Sequence, residues 1–151
     1  MVNFTVPGQP QGKQRARTVR RGGTSITYTP DKTVAYEAAV RKAYRAICGE
    51  RRAVRDGAAV TVIIEAFYQI PKSASKATKE LMIRGDIRPT TKPDWDNIGK
   101  MICDALNPSE KDEFIGAWQD DAKIASATVE KWYALHPRVD VYISEIQPKK
   151  G

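Results

Sequence analysis

The stretch from Ala58 to Tyr68 constrains the fold more than any other part of the chain, because it is rich in Val, Ile, Phe and Tyr, with Thr61 and Glu65 as its polar interruptions. β-Branched and aromatic side chains favour a pleated backbone, and near-continuous apolarity is what a strand covered on both faces requires. A central strand is expected here, and the rest of the chain must supply its neighbours and its cover. The stretch is much shorter than the roughly 20 apolar residues that cross a bilayer, so neither a transmembrane helix nor a membrane partner is expected.

The flanking sequence offers that cover. Asn3 to Val6 alternates polar with β-branched or aromatic residues before Pro7-Gly8, as a short opening strand does. Gln11 to Arg21 carries Lys13, Arg15, Arg17, Arg20 and Arg21 and almost nothing to bury, so it reads as a flexible basic loop. After Gly22-Gly23, Ser25 to Thr29 reads as a return strand or an ordered arm. Thr29-Pro30-Asp31 starts a helix, and Val34, Ala35, Ala38, Ala39, Lys42, Ala43, Ala46 and Ile47 sustain a stripe as far as Gly49. A second helix is expected over Ser73 to Met82. In a third, Trp95, Ile98, Met101, Ile102, Ala105 and Leu106 share a face until Asn107-Pro108. Lys123 to Leu135 and Arg138 to Ile146 read as two strands that meet at His136-Pro137 and pair as an antiparallel hairpin.

At 151 residues, one domain over 1–151 is expected, with 147–151 as a flexible tail. Strands and helices do not alternate strictly, which favours an α+β fold: a mixed β-sheet packed with about three helices and closed by the C-terminal hairpin. Met1 to Pro10 has no basic segment followed by an apolar one, so a cytoplasmic location is expected. Cys48 and Cys103 are too few and too far apart for a disulfide framework or a zinc site, and read as buried free thiols.

The residue inventory removes several chemistries. His136 is the single histidine and sits at a turn, without the partners that a Ser-His-Asp hydrolase or a His-metal nuclease needs. Ser73-Ala74-Ser75-Lys76 fits Ser-x-x-Lys by chance and reads better as a helix N-cap. No Gly-x-x-x-x-Gly-Lys-Ser/Thr occurs, so a Walker-type nucleotide site is not expected. Carboxylates remain. Asp94 and Asp96 occupy alternate positions where the third helix begins, and Asp120-Asp121 precedes the penultimate strand. Each pair has a structural reading, since Asp near a helix start caps free N–H groups and favours the dipole. Yet these acids punctuate a chain with 25 Lys and Arg against 18 Asp and Glu, a formal charge of +7. Such a field attracts polyanions, and equally serves plain solubility.

Gathering carboxylates is costly without a cation, and hard Mg²⁺ or Mn²⁺ takes such oxygen ligands beside a substrate phosphate. An acidic centre in a basic chain therefore suggests metal-assisted phosphodiester hydrolysis. Lys100, four residues after Asp96, then points toward the scissile phosphate; otherwise Asp96, Lys100 and Asp104 form an exposed ladder.

The run Lys92-Pro93-Asp94-Trp95-Asp96-Asn97-Ile98-Gly99-Lys100, then Asp104-Ala105-Leu106, then Asp120-Asp121-Ala122-Lys123-Ile124, resembles the RusA-like Holliday junction resolvases. The resemblance is sharp from Lys92 to Ile124 and looser elsewhere, although the basic opening from Gly8 to Arg17 is also similar. It implies a small α+β homodimer that uses Mg²⁺ or Mn²⁺ to cut four-way DNA junctions. By matching positions, Asp94, Asp96 and Asp121 become metal-binding catalytic carboxylates, with Asp120 a further metal contact and Lys100 the essential cation. Lys13, Arg15, Arg17, Arg20, Arg21 and Lys92 are the expected DNA contacts. Lys123 departs from the family, which often carries Gln there, and the loop from Asn107 to Trp118 is longer. A two-fold dimer matches the symmetry of a junction, and its interface is expected from apolar residues of the hairpin Lys123 to Ile146 or of the helix Pro30 to Cys48, including Tyr36 and Tyr44. Two other readings compete: a non-catalytic DNA-binding module, and a metal-dependent phosphatase or nucleotide-sugar enzyme built on Asp-x-Asp.

Overall fold

A computed structural model describes residues 1–149. Six strands and three helices follow in the order β1 (Val2–Pro7), β2 (Arg17–Arg21), β3 (Thr24–Tyr28), α1 (Asp31–Cys48), β4 (Val60–Gln69), α2 (Lys76–Ile83), α3 (Trp95–Ala105), β5 (Ile124–Ala134) and β6 (Arg138–Glu145). The fold is α+β. β4 lies inside a mixed four-stranded sheet of order β1-β6-β4-β5, parallel to β5 and antiparallel to β6. Reaching a parallel neighbour requires a long crossover, and α2 and α3 lie in the connection between β4 and β5.

β4 is internal, but only one of its faces is covered. Val60, Val62, Ile64, Ala66 and Tyr68 are buried, whereas Ile63 on the opposite face is 39% exposed. The buried set joins Phe4, Val6, Val139, Val141 and Ile143 from the neighbouring strands in one core with α1 and α3. Burial of each such Val or Ile favours folding by about 1.5–3 kcal/mol relative to exposure. The uniformly apolar run therefore overstated the cover: Ile63 and Phe67 belong to an open sheet face.

The last two strands run antiparallel across a short turn, as expected, but take β4 between them, so their ladders are made with β4 rather than with each other. β4 pairs along both edges from Val60 to Phe67, which occupies the backbone groups on both sides of the strand over that span. On the other side of β6, Gly8 N–H donates to the Pro137 carbonyl at 3.0 Å, which carries the β1–β6 pairing into the turn.

Helix α1 buries a different face from the alanine-rich stripe. Tyr36, Val40, Tyr44 and Cys48, at successive i+4 positions, face the core with Thr33, while Val34 and Ile47 are exposed. Large side chains gain more from burial than alanines do, and they set the rotation of the helix. Tyr36 and Tyr44 are thus core residues and are not available to an interface. Tyr44 packs edge-on against Phe4 and Phe114, with ring centroids 5.7 and 5.6 Å away. Ser75 caps α2, accepting from Thr78 N–H at 3.2 Å, so that helix begins three residues later than the sequence suggested. In α3, Ile98, Met101, Ile102 and Ala105 are buried as expected, but Trp95 is 62% exposed.

The expected basic loop divides. Its second half is β2, paired with β3 as an exposed hairpin apart from the main sheet. Residues 147–149 are exposed and carry no regular structure, and the rest of the expected tail, Lys150 and Gly151, lies outside the described residues. Among the described residues no helix is long and apolar enough to cross a membrane.

Candidate active site

The site is built on the first turn of α3. Pro93 closes the bend that leads into the helix, and Asp94 takes the N-cap position with φ −69° and ψ 154°. An Asp in that position ordinarily accepts from the N–H two or three residues on. Here its side chain makes no capping bond and instead accepts from Lys92 Nζ at 2.8 Å. Asp96 follows, exposed, in the first turn, with Lys100 one turn beyond.

The approach to Asp94 is pinned from beneath by the strands. Tyr68 Oη donates to the Pro93 carbonyl at 2.7 Å, and Lys131 Nζ donates to the Thr91 carbonyl at 2.6 Å. Burial, helped by the Asp94 charge, pushes the Tyr68 hydroxyl up to about 12, so it remains a donor at neutral pH. Burial draws the Lys131 ammonium down, opposed by Asp94 and aided by Lys92. Neither residue stands out in the sequence, since both lie within strand patterns.

Against this acidic wall lies a basic one. Lys13, Gln14 and Arg15 form one side of a cleft of about 840 Å³, and Lys92, Asp94, Asp96, Lys100 and Asp104 form the other. The structure thus unites Asp94, Asp96, Lys100, Lys92, Lys13 and Arg15. Arg17 opens onto a neighbouring groove with Tyr28 and Asp31, and Arg20 and Arg21 lie on the exposed β2–β3 hairpin.

The second acidic pair divides its labour. Asp120 caps the 3-10 turn Asp121–Lys123, with Oδ1 accepting from Ala122 N–H at 2.8 Å, and this bond holds its carboxyl below the usual range. Asp121 Oδ2 accepts from Asn107 Nδ2 at 3.0 Å, and Asn107 Oδ1 accepts from the indole N–H of Trp118 at 2.7 Å. Indole only donates, so the Asn107 oxygen must face Trp118 and its amide nitrogen must face Asp121. In the sequence Asn107 is visible only as a helix stop; its bridging role depends on the loop folding back. Gly116 permits that fold, with φ +90° and a position where a Cβ would lie 2.7 Å from the Trp118 carbonyl. Burial, then the charges of Asp121 and Asp104, push the Cys103 thiol up to about 12.

Asp121 does not line the cleft that holds Asp94 and Asp96. Among the described residues no three His, Cys, Asp or Glu side chains gather at metal-binding spacing, so the expected convergence of the carboxylates is not formed in this arrangement. The donor set still suits a hard, hydrated cation. Mg²⁺ keeps several waters and uses one or two carboxylates with substrate phosphate, and Asp94 and Asp96 offer two exposed carboxylates beside a cleft.

Comparison with known proteins places residues 7–144 in a match to the family described as endodeoxyribonuclease RusA. The chain is also 33% identical to the uncharacterized protein YqaN of Bacillus subtilis (strain 168), with 96% of each chain covered.

Proposed function

The chain belongs to the endodeoxyribonuclease RusA family, and from that premise we propose that it resolves four-way DNA junctions by divalent-metal-assisted phosphodiester hydrolysis. The observation that carries the reading is Asp94: it occupies a helix N-cap yet leaves the capping bond unmade, and it faces a cleft with Asp96 opposite a basic wall. A residue kept only for capping would use its carboxylate on the helix.

In this reading Asp94 and Asp96 would hold Mg²⁺ or Mn²⁺, and Asp121 and Asp120 would join them only by leaving their bonds to Asn107 and Ala122. The metal, when bound, polarises the scissile phosphate and supplies a nucleophilic water at neutral pH. Lys100 lies along the same helix and offsets the charge that builds on the phosphate oxygens. Lys92 neutralises Asp94 in the free protein and is positioned to transfer to a phosphate. Lys13 and Arg15 hold the DNA backbone from the opposite wall, and Arg17, Arg20 and Arg21 extend the contact along the hairpin. Such contacts set position and carry no sequence information by themselves.

Paired incisions across a junction call for two matched sites, so the working unit is a homodimer, acting on DNA in the cytoplasm. With Tyr36 and Tyr44 in the core, the reading places the second copy on the open sheet face around Ile63 and Phe67, beside Trp132, which Arg88 covers.

The test is cleavage of a labelled four-way junction with and without Mg²⁺. Wild type should cut only with metal, and Asp96→Asn should not cut. Junction binding without product under any metal would support a binding module instead. Turnover of a phosphate ester or nucleotide sugar without DNA cleavage would support the small-molecule alternative.

A further inference from the structure

The first half of the basic segment reads in sequence as a free arm, but in the fold it is docked on α3. Lys13 Nζ lies 2.6 Å from Asp104 Oδ2, with both side chains about three-quarters buried (28% and 25% exposed). Gly12 sits so close to the helix start that a Cβ there would lie 2.3 Å from Asn97 Nδ2 and 2.9 Å from Pro93 Cβ. The Asn97 amide can swing aside, whereas the Pro93 ring is fixed. Gln14 N–H donates to Thr33 Oγ1 at 3.1 Å, and Thr33 is 1% exposed. Further back, Gln9 Oε1 accepts from Gln69 N–H at 3.0 Å, at the end of β4.

Asp104 is the remaining acid of the cleft, and its carboxylate is already committed to Lys13 rather than open to a cation. We propose that Asp104 is a positioning residue for the DNA-binding wall. As the counter-ion of Lys13, and with Gly12 allowing the approach, it holds residues 12–15 against α3 so that Lys13 and Arg15 face the substrate phosphate from a fixed distance. Its role in DNA binding rests on the nuclease reading above, while its role in docking rests on the geometry alone. The proposal reverses a simple expectation of sign. Removal of an acid from a basic cleft should tighten a polyanion by raising the local potential. Loss of a positioning counter-ion should weaken it, because Lys13 must then be ordered at the moment of binding.

The experiment compares full-length wild type with Asp104→Asn, Asp104→Glu and Gly12→Ala. Limited trypsin digestion without DNA, resolved by site, reads the docking, with Arg20 and Arg21 on the exposed hairpin as the internal reference. Junction affinity in chelator reads the wall, and the Mg²⁺ concentration for half-maximal cleavage reads metal ligation. Asp104→Asn and Gly12→Ala should each raise cutting after Lys13 and Arg15 about threefold relative to the reference and weaken junction binding by a similar factor, as suits a partly exposed ion pair. Asp104→Glu should recover most of both, and the Mg²⁺ midpoint should stay within about twofold, against the 10–100-fold that metal-site changes cost. Unchanged trypsin susceptibility, tighter junction binding, or a tenfold shift in the Mg²⁺ midpoint for Asp104→Asn would each overturn the proposal. A wild type that neither binds nor cuts junctions, yet gives the expected digestion pattern, would sink the nuclease reading and leave the docking by Asp104 standing.

Discussion

Replacement of Asn107 separates the two duties of one amide. Its oxygen serves the indole of Trp118, which is 1% exposed, and its nitrogen serves Asp121. Asn107→Leu removes both partners and leaves a buried indole N–H unsatisfied, at about 1–3 kcal/mol. At this chain length each kcal/mol lowers the melting temperature by roughly 2–4 °C, so a fall of about 2–12 °C is expected. Asn107→Asp keeps an acceptor for the indole, so whatever stability it loses comes from charge rather than from an orphaned N–H. It also places a second carboxylate where a donor stood 3.0 Å from Asp121. At about 4 Å and an effective dielectric near 20, two such charges repel by about 4 kcal/mol, less where water enters, which raises the pKa of one of them. Junction cleavage by Asn107→Asp should therefore fall at neutral pH, and its acidic limb should move to higher pH than in wild type. Thermal melting and a cleavage profile from pH 5 to 9 read both effects. If Asn107→Leu melts within about 1 °C of wild type, or Asn107→Asp keeps the wild-type profile, the bridge from Trp118 to Asp121 has no energetic meaning.

Tyr68→Phe keeps the buried ring but deletes the bond to the Pro93 carbonyl; it should cost about 0.5–1.5 kcal/mol and lower kcat more than it raises KM, as steady-state cleavage would read. Glu145 accepts from the backbone and side chain of Arg55, which holds its carboxyl below the usual range. Its stabilising effect is therefore present above the ordinary Glu pKa of about 4.3 and fades as pH falls through the lower folded value. The melting difference between wild type and Glu145→Gln should accordingly be present at pH 7 and vanish in strong acid. Ile63→Glu on the open sheet face should convert a dimer to monomers in sedimentation while leaving the monomer folded, and an unaffected dimer would locate the interface elsewhere.

Much of this molecule is legible in local sequence. The apolar run of β4 and the periodicity of α3 follow from residue type and spacing, as does a Ser cap for α2, though not which serine. The failures concern partners far away in the chain. A two-sided strand and a one-sided strand that ends at an open face look alike when Ile63 and Phe67 alternate with Ile64 and Ala66. The turn at His136-Pro137 gave the direction of the last strands correctly, but not the strand that lies between them. The stripe on α1 misleads because Ala35, Ala38 and Ala46 recur on the outward face, whereas Ala39 and Ala43 only flank the core that Tyr36, Val40 and Tyr44 fill. The motif from Lys92 to Lys100 gave the acidic wall, whereas Tyr68, Lys131 and Asn107 act through bonds that link residues 14 to 40 positions apart.

Asp94→Asn tests the central claim most directly, because the two explanations of that acid predict opposite results in one variant. Asn caps helices as well as Asp does, and the ion pair with Lys92 is exposed and contributes little. If Asp94 serves the chemistry, the variant should melt within about 1–2 °C of wild type without metal and lose Mg²⁺-dependent junction cleavage by more than about a hundredfold. A variant that melts like wild type and still cuts junctions at the wild-type rate would make Asp94 a structural residue and contradict the account.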